Sequence, residues 1–492
     1  MIRKKELLLA ATFALSTLFF VWQHSFVSWD FASYASNAEY WNGGSYYEIS
    51  RPPLVPFMLY ALGASPISEY IFIILASVLF LYSTIRLADR MKIGREIFYI
   101  FSLSPMVLFY GMINGAELLS LALLGLFLVY LLEKSPKAGL FLGLACLARY
   151  NFLVFLPLVF SNRHPRKILA ALALFAIPAI LWLAFNFLTT GNMLTSLADS
   201  YALNFKYRHY FTQPASIVHI LTAISFLLPL FVAGLYKTIS EWRIKETKTM
   251  KFLCREKASV LLIIIFAMSI YQYVSTPSKE LRYLFPIALP VAYFSSIGAK
   301  WIGRKRLGAI VVIAIMTLNL GYFLSMNGGY ESRGKYQNSI DILRQNNLDN
   351  CRLLTNAWPI MSYLGQPSEP FPRRELVGKS VEEGDIIVLF PSIAEPEWAQ
   401  NRTFVREFPV IYESDDLIML GNGCNAPRRY EHNYMLLLSE KISRAYNISI
   451  NTNPCFVMFS SSSILEKSCN FANGKGFILD DNRVAGLELV RD

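Results

Sequence analysis

Long apolar runs, separated by short charged or aromatic segments, make up residues 1–325 of the chain. A helix needs about 20 apolar residues to cross a hydrocarbon core of about 30 Å, so runs of this length predict transmembrane helices. The pattern therefore predicts a mainly α polytopic membrane bundle. The predicted single spans are Leu7–Gln23, Ser68–Leu87, Glu96–Tyr110, Leu118–Leu132, Ile168–Leu188, Ile217–Tyr236, Ala258–Val274, Tyr283–Ile297 and Leu307–Ser325.

Two shorter runs, Ala138–Ala148 and Phe152–Phe160, flank Arg149. As one span they would leave 13 Lys and Arg inside against 15 outside. As two arms with Arg149 at the turn they leave 23 inside and 6 outside, with the other 17 beyond Met326. Because cytoplasmic loops are enriched in Lys and Arg, we predict the two-armed hairpin. The total is then about eleven transmembrane segments, although each arm is shorter than an ordinary span and a re-entrant hairpin is the alternative.

The same charge rule predicts a multi-pass plasma-membrane protein with a cytoplasmic N-terminus and an extracytoplasmic C-terminal domain. The alternative for the first run is a cleaved signal peptide. Trp22, Gln23 and His24 follow that run, where a cleavage site needs small residues. We therefore predict an uncleaved first span.

Composition agrees with a membrane protein, because only 16% of residues are charged whereas soluble domains carry about 25%. The net charge of +11 is a feature shared with nucleic-acid-binding proteins. Here most of the basic residues before Met326 fall in the predicted cytoplasmic loops. The excess is thus mainly a topology signal, and no nucleic-acid partner is predicted.

From Met326 onward the composition becomes that of a soluble protein. We predict an extracytoplasmic α/β domain over 326–446 and a β-rich tail over 447–492. Predicted helices are Tyr336–Asn346, Ala357–Gly365 and His432–Tyr446, and predicted strands are Arg352–Asn356, Asp385–Phe390, Phe404–Ile411 and Leu417–Leu420. Cys351, Cys424, Cys455 and Cys469 allow two disulfides in three connectivities, or remain free thiols.

The first outer loop, His24–Pro53, is rich in aromatic residues and contains Asp30. Such a loop either lies as an amphipathic helix at the interface or covers a cavity. A carboxylate amid aromatic rings such as Tyr34 suits a general base acting on a sugar. The alternative is a helix cap or a solvated loop charge. The loop closes with Arg51-Pro52-Pro53-Leu54, whose two prolines stiffen the backbone.

Two further ionisable residues stand at predicted membrane edges. Glu117 lies where a short outer loop enters a span, a position that a helix dipole also favours without any function. Arg149 lies at the turn of the predicted hairpin, and an ionisable residue at membrane depth is a functional candidate by default. Its alternative is snorkelling to the headgroups.

Two other outer loops are cationic. The segment Pro277–Pro286 contains Lys279, Arg282 and Tyr283 around one acid, and a pair of cations is suited to a phosphate. Lys206 and Arg208 in the loop Thr189–Pro214 are further candidates. The alternative for all of them is a solvated interfacial loop.

The order and sidedness of these pieces resemble the GT-C superfamily of membrane glycosyltransferases, which use polyprenyl-phosphate sugars. The Asp30 loop and Arg51-Pro52-Pro53-Leu54 are similar to the protein O-mannosyltransferase and aminoarabinose transferase branch. The segment PSKELRYLFPIALP is similar to the Lys-Glu-x-Arg-Phe/Tyr-x-x-Pro element of lipid-linked mannosyltransferases. Two departures are Phe31, where many relatives have a second acid, and Ser278, where a histidine is frequent.

The resemblance implies an inverting transfer of a mannose-like hexose from a polyprenyl- or dolichyl-phosphate donor. The acceptor would be a glycan, lipid or protein at the outer face of the membrane, whose lipid is a further partner. The implied roles are catalysis for Asp30 and Glu117, donor-phosphate binding for Arg149, Lys279 and Arg282, and substrate binding for Tyr34, Arg51, Lys206, Arg208 and Tyr283. No cofactor is required, and a divalent metal shared by the two acids is left open. The alternative is a transporter or lipid-linked sugar flippase, which should show inverted repeats.

Overall fold

The structure is a computed structural model, and only part of the chain is described. The described residues are 27–42, 51–94, 107, 111, 115–162, 164–190, 193–194, 196–197, 200, 214–245, 252–276, 279–302, 314, 318, 333–371, 374, 377–393, 397–424, 455–457, 476–480 and 483–487.

Helices dominate the described part of residues 1–325. They are α1 Trp29–Trp41, α2 Leu54–Ala61, α3 Pro66–Met91, α4 Ala116–Leu132, α5 Lys137–Ala148, α6 Pro165–Thr190, α7 Ile217–Ile224, α8 Leu228–Lys245, α9 Phe252–Ser275 and α10 Ala288–Ile302. Three 3₁₀ helices join them: Tyr150–Ser161, Ser225–Leu227 and Leu281–Ile287. The first outer loop is thus partly helical, and its helix α1 is buried from Asp30 to Ala38.

Among the described residues, four segments are long and apolar enough to cross a membrane: Ile67–Met91, Pro165–Leu188, Ile217–Glu241 and Ala258–Ser275. A membrane protein is therefore confirmed by helix length and composition. The total of about eleven segments stays a prediction. The predicted spans over 7–23, 96–110 and 307–325 lie almost wholly outside the described residues.

The hairpin around Arg149 forms as predicted. Gly139 packs against the carbonyl of Ala171, and Gly143 packs against Phe175. Residue numbers therefore increase in the same direction along α5 and α6 at their contact, so the two helices run parallel. The intervening 3₁₀ helix must therefore return the chain, and Arg149 stands at the turn in an extended conformation. A side chain at either glycine would overlap the α6 backbone, which is why small residues occupy this contact.

At one end of the bundle, cations contact an acid and backbone carbonyls at the ends of helices. Where α3 and α4 end, Arg86 pairs with Glu133 at 3.3 Å. Arg90 donates to the carbonyl of Leu132 at 3.2 Å, and Lys300 donates to that of Lys92 at 3.2 Å. All three cations belong to the set of Lys and Arg that the charge rule predicts to be cytoplasmic. The start of α4 and the end of α5 lie at the opposite end, which carries the candidate site.

The described part of residues 333–424 combines helices with a five-stranded sheet of order β2-β1-β3-β5-β4. Strands β1, β2 and β3 are parallel, whereas β5 pairs antiparallel with β3 and β4. The elements are α11 Arg333–Gln345, β1 Leu353–Thr355, α12 Trp358–Tyr363, β2 Glu369–Pro370, α13 Val377–Glu382, β3 Ile386–Leu389, α14 Glu397–Gln400, α15 Arg402–Val405, β4 Val410–Glu413 and β5 Ile418–Leu420. The strand pattern of alternate residues divides the core into two layers, one on each face of the sheet.

A disulfide joins Cys351 to Cys424, which is one of the predicted pairings. Strands β6 Cys455–Val457, β7 Gly476–Asp480 and β8 Arg483–Leu487 form a separate three-stranded sheet in the tail. The predicted helix His432–Tyr446 lies outside the described residues.

One predicted strand, Phe404–Ile411, is wrong over its first half. Residues Arg402–Val405 form α15 because the Asn401 side chain accepts from the backbone N–H of Phe404 and caps the helix. Strand β4 begins only at Val410, after Pro409. Two predicted spans are also less regular than expected. The span from Ile217 breaks at Ser225, where φ is 57°, and the span from Tyr283 begins as a 3₁₀ helix containing Pro286.

Candidate functional site

Five separate elements bring ionisable side chains to one end of the bundle. Asp30 lies in the first turn of α1, and Arg51 precedes α2. Glu117 lies in the first turn of α4, Arg149 follows α5, and Arg282 lies in the 3₁₀ helix before α10. We call Asp30, Arg51, Glu117, Arg149 and Arg282 the charged cluster.

Asp30 is held by two guanidinium groups from distant parts of the chain. Its Oδ1 accepts from Arg51 Nη1 at 2.5 Å, and its Oδ2 accepts from Arg282 Nη1. The Asp30 side chain is only 11% exposed, so water contributes little to its solvation. Two charge-assisted hydrogen bonds, together with the N-terminus of α1, stabilise its negative charge.

Glu117 forms the second ion pair, with Arg149. The Glu117 side chain is fully buried. Gly115, just before α4, allows the chain to place Glu117 here. Its φ is +69°, and a Cβ at this residue would lie 2.7 Å from the Phe72 ring, so only glycine fits without displacement. A larger residue would displace the start of α4 and with it the carboxylate.

Two tyrosines complete the site. The Tyr283 ring lies beside both the Arg149 and the Arg282 guanidinium, at 6.0 and 5.8 Å from the ring centroid. It therefore joins the two ion pairs through cation–π contacts. Tyr34 is buried on α1, one turn after Asp30. Burial, and next the charge of Asp30, raise the pKa of the Tyr34 hydroxyl above its ordinary value, so this group remains a neutral hydrogen-bond donor.

Sequence reasoning missed residues that support the cluster. Tyr150 lies directly after Arg149; its hydroxyl is 3.5 Å from the Arg51 carbonyl and accepts from Trp182 Nε1 at 3.0 Å. Glu280 pairs with Arg282 at the more exposed edge. Glu280 was visible as the acid of its loop, but nothing in the sequence links Trp182 to Arg51.

Lys279, a further predicted phosphate ligand, makes contacts of a different kind. The Lys279 ammonium donates to the carbonyls of Val274 and Thr276, at the C-terminal end of α9. It thus caps a helix end, where a cation is favoured. Lys206 and Arg208 lie outside the described residues.

A divalent metal finds no ready set of ligands in the described ranges. They contain no group of three or more His, Cys, Asp or Glu placed to hold an ion. Asp30 and Glu117 each face a guanidinium, so a cation between them would have to displace an ion pair. The cluster instead offers guanidinium N–H groups, whose fork geometry matches carboxylate and phosphate oxygens.

The sequence matches no protein-family model and none of the curated proteins. Its structure is similar to ArnT from Cupriavidus metallidurans, solved bound to undecaprenyl phosphate. The identity is 13%, the TM-score is 0.57, and the match covers 86% of this chain and 99% of ArnT. The match to the arabinofuranosyltransferase AftD from Mycobacteria has 14% identity and a TM-score of 0.47, and covers 85% of this chain but 41% of AftD.

The likeness to ArnT confirms the fold that the sequence resemblance predicts. The chain therefore shares the fold of ArnT over most of its length. At this identity the likeness concerns the fold, and the chemistry must be argued from the chain's own residues.

Proposed function

We propose that this protein is a glycosyltransferase that takes a sugar from a polyprenyl-phosphate donor at the outer face of the membrane. The observation that carries the proposal is the charged cluster, in which two buried carboxylates and three guanidinium groups converge at one end of the bundle. Buried charge of this kind is costly within a membrane protein and is characteristic of functional sites.

The donor phosphate fits the guanidinium groups. A phosphate presents the same kind of oxygen acceptors as the carboxylates that Arg149 and Arg282 now bind. It leaves as a monoester dianion, whose second pKa is about 6, so no general acid is needed. The guanidinium groups would stabilise the charge that develops on the leaving oxygen. ArnT, which shares the fold, was solved with undecaprenyl phosphate.

Asp30 is the proposed general base. The acceptor hydroxyl attacks the anomeric carbon as the bond from that carbon to the phosphate oxygen breaks. The bonding pair leaves on the phosphate, and the hydroxyl proton passes to the Asp30 carboxylate. A single displacement inverts the configuration. Glu117 would orient Arg149, and Tyr34, Arg51 and Tyr283 would contact substrate or position the groups that do.

The finer assignments are a mannose-like hexose as the sugar and a glycan, lipid or protein as the acceptor. They rest on the sequence resemblance of PSKELRYLFPIALP to lipid-linked mannosyltransferases. The outer-face orientation is supported by Arg86, Arg90 and Lys300 at the end of the bundle opposite the charged cluster. Lys206 and Arg208 remain proposed substrate contacts, whereas the contacts of Lys279 favour a capping role.

The test is a transfer assay with the full chain in lipid nanodiscs. Polyprenyl-phosphate-linked mannose, glucose and arabinose would be supplied with membrane extract as acceptor, and products identified by mass spectrometry. We expect free polyprenyl phosphate and a glycosylated product from one donor, with inhibition by added undecaprenyl phosphate. Donor moved across a vesicle membrane without chemical change would contradict the proposal and favour the flippase alternative.

A further inference from the structure

Helix α1, which carries Asp30, lies between two hydrophobic cores. Phe31, Tyr34, Ala35 and Ala38 belong to the core of the membrane helices, and their spacing puts them along one side of α1. Val27 and Ala32 belong to the core on one face of the C-terminal sheet. Asp30 thus lies on a helix whose position depends on both domains.

The contact to the C-terminal domain is made next to Asp30. The rings of Trp29 and Trp358 meet edge to face with their centroids 5.8 Å apart. Trp358 is the first residue of α12 and is only 7% exposed. Trp29 is the immediate neighbour of Asp30 in sequence, so a shift of Trp29 moves the carboxylate.

A second contact fixes the other end of α12 to the membrane domain. The Tyr363 hydroxyl donates to the Glu69 carboxylate in α3 at 2.6 Å. The Arg333 guanidinium lies 5.6 Å from the centroid of the same ring. Burial, and next the Glu69 charge, raise the pKa of Tyr363 above its ordinary value, so its hydroxyl stays protonated as a donor. Helix α12 is therefore held at both ends, by α1 and by α3.

From these contacts we infer that the C-terminal domain positions Asp30, with Trp358 as the positioning residue. The inference rests on the proposed function. Trp358 acts through Trp29, whose ring it contacts. Without the Trp358 ring, α1 gains room to move, and Asp30 loses its alignment with Arg51 and Arg282. An error of about 1 Å in such a group lowers a rate about 100-fold.

The experiment compares Trp358→Ala with Trp398→Ala in the full chain. Trp398 is a matched control, because it is 8% exposed in the same domain but packs on the other face of the sheet. With the donor identified by the transfer assay, we expect Trp358→Ala to lower kcat about 10- to 100-fold. The donor KM should stay within about twofold, because Arg149 and Arg282, the proposed phosphate ligands, do not lie on α1. Trp358→Phe, which keeps a ring, should restore most of kcat.

Hydrogen exchange of the amides of 29–41 gives a readout that needs no activity. We expect exchange about tenfold faster in Trp358→Ala than in wild type, and little change in Trp398→Ala. Equal losses of kcat and equal exchange in the two alanine variants would overturn the positioning role. If the wild type transferred no sugar, the proposed function would fail. Hydrogen exchange would then still test whether Trp358 positions α1. Faster exchange in Trp358→Ala, but not in Trp398→Ala, would support that role.

Discussion

The two ends of the membrane bundle use the same residue types in opposite ways. At one end, Arg86 and Glu133 pair with side chains 38% and 32% exposed. At the other end, Glu117 is fully buried against an Arg149 side chain that is 12% exposed. An exposed ion pair contributes about 0–1 kcal/mol because water and salt screen it. A buried pair has paid a desolvation cost that its mutual attraction barely repays.

Stability alone therefore explains the buried pairs poorly. Apolar side chains of similar volume are often as stabilising as a buried ion pair. Pairs retained in such a place therefore indicate a functional requirement. The exposed pair lies at the end of the bundle that the distribution of Lys and Arg predicts to be cytoplasmic. Variants at the two ends can separate these explanations.

The largest effect is expected for Arg282→Met, compared with Arg86→Met. Arg282→Met removes one of the two cations on Asp30 and one of the proposed phosphate ligands. Transfer should fall about 100-fold or more, and the free energy of unfolding by about 3–5 kcal/mol. Steady-state kinetics and thermal unfolding in nanodiscs measure both. Arg86→Met should change stability by at most about 1 kcal/mol and leave transfer unchanged. Equal losses of transfer and stability in Arg282→Met and Arg86→Met would show that the buried and exposed cations have the same role.

Glu117→Gln should leave Arg149 as an uncompensated buried charge. We expect a loss of about 3 kcal/mol in stability, against less than about 1 kcal/mol for Glu133→Gln at the other end. The double variant Glu117→Leu with Arg149→Leu separates the stability of the pair from its function. It should recover stability but remain inactive. Recovery of activity in the double variant would show that the pair is structural.

Tyr283→Leu is expected to have an intermediate effect. It removes the ring between Arg149 and Arg282, and each cation–π contact contributes about 0.5–2 kcal/mol. We therefore expect a donor KM raised about 3- to 30-fold. The measurement is donor titration at a saturating acceptor concentration. An unchanged KM would place the donor phosphate away from this ring.

Lys279→Met should have the smallest effect. The ammonium caps α9 through the carbonyls of Val274 and Thr276, so stability should fall by about 0.3–1 kcal/mol. The donor KM should stay within about twofold of wild type. A KM raised tenfold or more would return Lys279 to the donor-phosphate site that the sequence predicted.

Sequence patterns predicted the structure where it depends on neighbouring residues or on a sum over many residues. The turn at Arg149 followed from the distribution of Lys and Arg over all loops, and the parallel packing of α5 and α6 confirms it. The strand predicted over Phe404–Ile411 was wrong over its first half because one side-chain cap at Asn401 outweighed the β-like composition.

Long-range pairing was beyond the sequence. Asp30 and Arg282 were both candidates, but their ion pair spans 252 positions in the chain and depends on how the helices pack. The contact of Trp29 with Trp358 likewise arises only when the C-terminal domain folds against α1. The residue types of the site were predictable, whereas their partners and the part played by the second domain were not.

The most direct test of the charged cluster as a transfer site is kcat for Asp30→Asn beside Asp89→Asn. Asp89 serves as the control, because it is an exposed acid in the last turn of α3, at the end of the bundle opposite the charged cluster. We expect a fall of about 100-fold or more for Asp30→Asn, because the amide cannot accept the acceptor's proton. Asp89→Asn should transfer sugar at the wild-type rate. Full activity in Asp30→Asn would show that Asp30 is not the base and that the charged cluster is not the transfer site.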